Sequence, residues 1–415
     1  MARLSASRTP ANHAPANERR LWTANYALTL LGTFSFFGSF FYLLSVLPEY
    51  VDSIGGQEWH VGLIVGGFNI VPLFLRPFAG RWSDAGHRVI MMRISLVIFA
   101  GSLALMVFSE DIWSLLALRV VQGIGMAMFP TAAGSMVAEI IPLPRRGEGV
   151  GFFGMATSLS QMAFPALGVI IADRWGFDAI FIVAAATSAV TLLMVLPIRE
   201  PTVHPGRPRG ELLPRRALFP MLVFLTVTFS FGAASAFLPL LSDERDLGNV
   251  GLYFLVGGAA AVLTRPMSGA ISDRIGRISV VLPGLLISAL GMWVLTQATG
   301  LPMLLVSGAL GGVGLGTVHT GLLALSLDRV AATQRGGATA VFQLAWDIGG
   351  LLGGTVLGFV ASAIDIEAVF WVAAVFLVSG MAILMGGRAR GWTSVRKPRP
   401  LFLGARMKPQ RGGDT

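Results

Sequence analysis

The stretch Arg76-Pro-Phe-Ala-Gly-Arg-Trp-Ser-Asp-Ala-Gly-His-Arg88 returns later in the chain as Arg265-Pro-Met-Ser-Gly-Ala-Ile-Ser-Asp-Arg-Ile-Gly-Arg277. With 76 laid on 265, a shift of 189 residues, the two copies agree at Arg, Pro, Gly, Ser, Asp and the final Arg. Each copy sits where one apolar run gives way to a short charged turn and the next run begins. A repeat of this size means that the chain is two similar halves. The register holds beyond the motif. Gln122-Gly-Ile-Gly125 falls on Gly311-Gly-Val-Gly314, Thr131 on Thr320, Glu139 on Asp328, and Arg146-Gly147 on Arg335-Gly336.

The 415 residues are 54% hydrophobic and only 13% charged, and the mean hydropathy is +0.71. A water-soluble chain carries about a quarter charged residues. So much apolar surface has no place in a soluble core, so the expected solvent is a lipid bilayer. The chain has no cysteine, which excludes disulfides, thiolate metal sites and cysteine nucleophiles. Apolar runs lie near 22–47, 59–80, 89–108, 113–138, 149–171 and 179–197, then near 218–241, 249–271, 278–298, 302–326, 338–362 and 368–387. Each is close to the roughly 20 residues that a helix needs to cross the hydrocarbon. Continuous rather than alternating apolarity argues against a barrel. The expected fold is an all-α membrane protein of twelve transmembrane helices in two pseudo-symmetric six-helix bundles. It divides into a polar tail 1–21, a bundle 22–197, a linker 198–217 rich in Pro and Arg, a bundle 218–387 and a basic tail 388–415.

The net charge of +9 is a topology signal rather than a nucleic-acid footprint. Lys and Arg gather in the two tails and every second turn, while the opposite turns hold only Arg174 and Arg245. That bias predicts both termini in the cytoplasm of a cell whose inner membrane the chain spans.

Two six-helix halves with Gly-x-x-x-Asp-x-x-Gly-Arg after the second helix of each half resemble the major facilitator superfamily. Gly269, Asp273, Gly276 and Arg277 match the family pattern in full. The first copy keeps Gly80, Asp84 and Arg88 but carries His87 where the later glycine is expected, with Gly86 one place earlier. Arg119-x-x-Gln122-Gly-x-Gly resembles a second family motif. The resemblance spans about residues 20–387 and implies secondary transport by the rocking of two bundles around a central site. Read physically, Gly80 and Gly269 are expected to turn the backbone at the membrane surface. Asp84 and Asp273 are placed to cap a helix N-terminus or to pair with Arg88 or Arg277. Such contacts would latch one conformation; the plainer reading is that they only cap the turn.

Away from helix ends, three ionisable side chains stand out: Arg119, His319 and Asp347. A charge in hydrocarbon is costly, so each should face a cavity or a partner. Their repeat counterparts are Gly308, Pro130 and Ser158, so these groups are not part of the shared scaffold. Counted from Ala338, Asp347 lies about 14 Å into its helix, with Gln343 one turn earlier and Trp346 beside it. It is read as the proton carrier or a substrate contact, or else as a permanently paired ion. Arg119 is expected within reach of Asp347, and the resemblance gives it a role in supporting proton transfer. His319 either titrates or packs as a neutral ring. Ser35 and Ser39 precede Pro48 as Thr226 and Ser230 precede Pro239. With Tyr42 and Gln161 they are candidate cavity-lining residues, because in the family helices 1, 4, 7 and 10 line the cavity. Gly350, Gly354 and Gly358 are spaced to admit a neighbouring helix.

No catalytic constellation is present. The chain lacks a Gly-x-x-x-x-Gly-Lys phosphate loop, so ATP is not expected to drive it, and it shows no Gly-x-Ser-x-Gly and no metal-spaced cluster. The expectation is a non-enzymatic, cofactor-free transporter of a small organic molecule that acts as a monomer in the bilayer and exports by proton exchange. Against export, the first helix has no carboxylate, and Phe164-Pro165-Ala-Leu-Gly168 keeps little of the glycine-rich motif that family antiporters often show. An importer or facilitator of a polar nutrient such as a sugar is the alternative, and a non-transporting receptor a third.

Overall fold

A computed structural model describes residues 21–44, 46–56, 58–201 and 211–392. Most of the two tails and the middle of the linker therefore lie outside the described residues. The described chain forms helices α1 (Ala24–Leu44), α2 (Leu47–Ser53), α3 (Glu58–Asp84), α4 (Arg88–Met106), α5 (Ile112–Ile140), α6 (Arg146–Trp175) and α7 (Phe177–Val195). The second half forms α8 (Arg215–Arg245), α9 (Val250–Ile275), α10 (Arg277–Thr296), α11 (Leu301–Asp328), α12 (Arg335–Ala363) and α13 (Ile366–Ala389). Apart from the short α2, which starts at Leu47-Pro48, all are long. Eleven spans are long and apolar enough to cross a membrane. The remaining long helix, α3, has 27 residues, about 40 Å at the usual rise.

Local chemistry sets the ends. Asp111 accepts from the Trp113 and Ser114 amides to start α5, Asn249 accepts from the Gly251 amide to start α9, and Asp365 accepts from the Ala368 amide to start α13. Each satisfies amides that have no partner within the helix. The sharp turn between α9 and α10 uses Gly276 at φ 96°, a left-handed conformation that glycine adopts without steric penalty.

Packing repeats with the sequence. In the first half α1 packs on α6 and α7, α3 on α5, and α4 on α5 and α7; in the second, α8 packs on α12 and α13, α9 on α11, and α10 on α11 and α13. The two bundles meet along two related seams, α3 on α12 and α6 on α9, with α5 also touching α12 and α6 touching α11. Small residues let these helices close up. A Cβ on Gly312 would lie 2.0 Å from the Gly257 carbonyl oxygen, inside the second bundle.

Two expectations are corrected at this level. Gly80 and Gly269 are not turn residues: both lie inside helices, where a Cβ would come 2.8 Å from Ala340 Cβ and 2.1 Å from the Gly147 carbonyl oxygen. They serve close approach between bundles, and the turn of the first motif is made by Gly86 at φ 87°. On α12 Gly349 and Gly353 close tightly on α8, against Thr228 and Phe229, and Gly358 meets Phe237 of α8 as expected, while Gly350 faces open space and the surroundings of Gly354 lie outside what is described.

Candidate functional site

Two polar layers cross the bundle interface. The first lies at the face that carries the repeated turns. Asp84, at the end of α3, accepts from the amides of Gly336 at 2.7 Å and Gly337 at 2.9 Å, the start of α12 in the other bundle. Asp273, at the end of α9, accepts from the amides of Gly147 at 2.8 Å and Glu148 at 3.0 Å, the start of α6. Each carboxylate thus caps a helix of the opposite half, where exposed amides and the helix dipole favour negative charge. Flanking ion pairs follow the same symmetry. Arg146 meets Asp328 at 2.7 Å and Arg335 meets Glu139 at 3.2 Å, both between bundles. Within bundles, Arg88 meets Glu139 and Glu200, and Arg277 meets Asp328 and Asp273. The sequence placed these groups at the turn. It did not show that each caps the far bundle, because that depends on which helices meet.

Just inside this layer α5, α12 and α6 come into close contact. A Cβ on Gly134 of α5 would lie 2.6 Å from Thr339 Cγ2 of α12, with Phe153 of α6 beside it. Beyond that contact lies the second layer. Asp347 of α12 forms a two-pronged ion pair with Arg76 of α3, Nε to Oδ2 at 2.5 Å and Nη2 to Oδ1 at 3.0 Å. The side chains are 2% and 5% exposed, so this charge pair between bundles is shielded from solvent. Because α12 begins at Arg335 rather than Ala338, Asp347 lies about 18 Å along it.

Arg76 is the partner that the sequence reading missed. Arg76-Pro77 and Arg265-Pro266 look like the start of a turn, yet both prolines sit inside helices. Transmembrane helices tolerate such breaks because neighbouring groups satisfy the freed carbonyl. The buried ionisable set therefore includes Arg76 and Arg265 besides Arg119, His319 and Asp347. The same shift of register that matched the motifs could have flagged both arginines, since each is eight or more residues before its helix ends.

Arg119 does not meet Asp347. It donates to Gln122 Oε1 at 2.9 Å and lies over the Phe68 ring at 4.4 Å, with Phe40 further off. It sits about a quarter of the way along α5, nearer the opposite face than the ion pair. His319 of α11 faces Arg265 of α9, Nδ1 to Nη1 at 3.1 Å, and its ring is enclosed by Phe224, Phe342 and Trp346. A guanidinium only donates, so Nδ1 accepts and the imidazole proton is on Nε2.

The candidate lining residues divide. Ser35, Gln161, Gln343 and Trp346 are half-buried. Ser39 instead accepts from Ser188 of α7 at 2.9 Å. Ser230 donates to the Ala373 carbonyl of α13 at 3.0 Å, and Thr226 faces Gly380 of the same helix. Tyr42 stacks edge-on against Phe164 of α6. The matched stripes on the first and seventh long helices are thus a duplicated packing seam toward α7 and α13. Small hydroxyls satisfied by a backbone carbonyl or by each other are favourable packing groups in lipid. An apolar groove lined by Ala100, Ala104, Ala185 and Ala189 lies between α4 and α7, away from the centre.

The family model described as Major Facilitator Superfamily matches residues 29–278 and 246–407. A relative from Proteus mirabilis, multidrug resistance protein MdtG, is 27% identical over 407 residues, covering 91% of this chain and 97% of its own. MdtG of Klebsiella pneumoniae is 30% identical over 313 residues, covering 69% and 72%. Among solved structures, the human organic anion transporter MFSD10 superposes with TM-score 0.73 at 20% identity, over 89% of this chain and 100% of that one. The Escherichia coli fucose:proton symporter FucP does so with TM-score 0.74 at 14% identity, over 88% and 99%. The chain is a non-enzymatic, multi-pass membrane transporter that belongs to the Major Facilitator Superfamily.

Proposed function

We propose that the chain exports a small organic molecule across the cytoplasmic membrane in exchange for protons, as a monomer, with the proton gradient as its only energy source. The reading is carried by the Arg76–Asp347 pair, a buried ionic contact that ties α3 of one bundle to α12 of the other. The end with the basic turns, which the charge bias assigns to the cytoplasm, is tied across the bundles by the two carboxylate caps and their flanking ion pairs. The structure then corresponds to the state closed toward the cytoplasm, from which a substrate leaves outward and a proton enters.

Protonation of Asp347 removes the charge that Arg76 binds. A buried pair broken from one side leaves an uncompensated ion, a penalty of about 3–5 kcal/mol. That is comparable to a two-bond latch, so loss of the pair favours separation of α3 from α12 toward the inner side. There Asp347 meets water, releases its proton and re-forms the pair after substrate is taken up. One charge moving down 100 mV supplies about 2.3 kcal/mol, the same scale as the contact. The name of the MdtG relatives, multidrug resistance proteins, supports efflux over uptake.

The test is a thermal-shift screen of drug-like organic molecules on purified protein, then flux of any hit in vesicles of known orientation. Substrate-driven proton movement is expected in wild type and in Asp347→Glu, and is expected to be absent in Asp347→Asn. Undiminished coupling in Asp347→Asn would remove Asp347 from the mechanism. Counterflow with and without a proton gradient separates export from import.

A further inference from the structure

The two seams between the bundles are related by the repeat, but their charges are not. In the α3–α12 seam, Arg76 faces Asp347. In the α6–α9 seam, the matching residue is Arg265, and its surroundings differ at each related position of the opposing helix. Where α12 presents Ala340, Gln343 and Asp347, α6 presents Gly151, Gly154 and Ser158. Arg265 fills the space those glycines leave: a Cβ on Gly154 would lie 2.4 Å from its Nη1, and one on Gly151 2.4 Å from its carbonyl oxygen.

Arg265 is 2% exposed. Its one side-chain partner among the described residues is the neutral acceptor His319 Nδ1, and its Nε is buried with no acceptor. No carboxylate among the described residues lies within ion-pair distance of it. A guanidinium cannot shed its proton as a lysine can, and a buried cation without a counter-charge is strongly unfavourable. Arg119 also lacks a carboxylate, but it is covered by an aromatic face and a glutamine oxygen. Arg265 has no ring over it among the cation–ring contacts. Beside it stands the apolar cluster of Phe224, Phe342 and Trp346, closed around His319.

We propose that Arg265, oriented by His319, is the binding point for an anionic group on the transported molecule, whose apolar or aromatic body rests against Trp346, the half-buried member of the aromatic cluster. The proposal rests on the transporter reading above and names the chemistry of its substrate. The negative charge of the ligand supplies in the α6–α9 seam what Asp347 supplies permanently in the α3–α12 seam. The two halves of the interface are then both neutral only when substrate is bound. His319 holds the guanidinium plane through Nη1 and leaves Nε free to donate to a carboxylate-type oxygen, a charge-assisted contact.

The test uses the full chain in lipid nanodiscs with benzoate as probe, and benzyl alcohol and benzylamine as neutral and cationic counterparts of similar size. Without ligand, Arg265→Gln is expected to raise the melting midpoint, because it removes an uncompensated charge. Arg76→Gln is expected to lower it, because it strands Asp347. Benzoate is expected to raise the wild-type midpoint at lower concentration than either counterpart. In Arg265→Gln the benzoate response should require about tenfold more ligand or greater, the loss of one charge-assisted contact, and Arg265→Lys should retain part of it. The proposal is overturned if Arg265→Gln lowers the midpoint as Arg76→Gln does. It is also overturned if benzoate and benzyl alcohol act alike, or if Arg265→Gln responds to benzoate as wild type does. A protein that discriminates benzoate through Arg265 but moves no protons would refute proton exchange and leave this site standing.

Discussion

The paired carboxylate caps give a prediction that can be worked from the geometry. Asp84 and Asp273 each accept two amide hydrogen bonds from the first turn of a helix in the other bundle, at 2.7 to 3.0 Å. Changing either to asparagine keeps one acceptor oxygen, loses the other and removes the charge. A hydrogen bond to a charged group contributes about 1.5–3 kcal/mol and a neutral one about 1, and the charge at the helix start adds about 0.3–1. The change therefore weakens the closed state by about 2–6 kcal/mol, which is about 30-fold or more in the equilibrium between closed and open. The ion pairs Arg146–Asp328 and Arg335–Glu139 remain, but their acids are partly exposed and screened, so they compensate little.

The chain has no cysteine, so it is already a clean background for site-directed labelling. Ala85 and Ala331 are exposed at the same face, one on each bundle, and neither takes part in the latch. Spin labels on Ala85→Cys and Ala331→Cys report the separation of the two bundles there. One short distance is expected with both aspartates intact, a second longer population in Asp84→Asn or Asp273→Asn, and mainly the longer one when both are changed. An unaltered short distance in the double variant would refute the latch and leave Asp84 and Asp273 as turn caps only.

Other outcomes follow from the same structure. Arg76→Leu and Asp347→Leu should each lower unfolding stability in detergent by about 3–5 kcal/mol, and the double change should recover most of it, since a buried pair can be replaced by apolar side chains at little net cost. Gly269→Ala places a Cβ 2.1 Å from a backbone oxygen of the other bundle, so the label distance should lengthen; Gly386→Ala, which meets nothing within 4 Å, should leave it unchanged. Asp111 is held below the usual carboxylate range, first by the Ser114 amide. A lowered folded value means that its contribution is present above the unfolded value near 3.9 and is lost as pH falls through the folded one. The acid limb of the stability–pH curve should therefore flatten in Asp111→Ala, measured by thermal unfolding from pH 5 downward.

The fold was legible because its two strongest signals are one-dimensional. Apolar run length counts helices without knowledge of their neighbours, and a repeat of motif, glycine and charge survives in the string. Proximity across the interface was not legible. Asp347 was recognisable as a buried acid, yet its partner Arg76 belongs to the other half, 271 positions earlier. The Pro77 that follows made it look like part of a turn. Arg119 was placed near Asp347 by counting depth along each helix, a projection that ignores which helices share a seam. The stripe of Ser39, Thr226 and Ser230 shows the same gap in another form. Periodicity puts these residues on one face, but only the packing of α7 on α1 and α13 on α8 decides that the face looks outward from the centre.

The latch and the mid-depth layer differ in symmetry, and that difference bears on coupling. At the latch most of the repeat is kept: the Asp84 and Asp273 caps match, as do the pairs Arg88–Glu139 and Arg277–Asp328 and the pairs Arg146–Asp328 and Arg335–Glu139, while Arg88–Glu200 and Arg277–Asp273 have no counterpart among the described residues. A device with such symmetry can close and open, but neither seam differs from the other in what it responds to. Deeper in, symmetry fails, and two of the differences bear on charge in the seams. Asp347 stands where the first half has Ser158, and His319 where it has Pro130. One seam thereby acquires a carboxylate, and the other keeps an arginine with no carboxylate partner among the described residues, the site proposed above for an anion. On the reading proposed above, the duplicated scaffold supplies the motion and the replaced residues let a proton and an anionic substrate act on it.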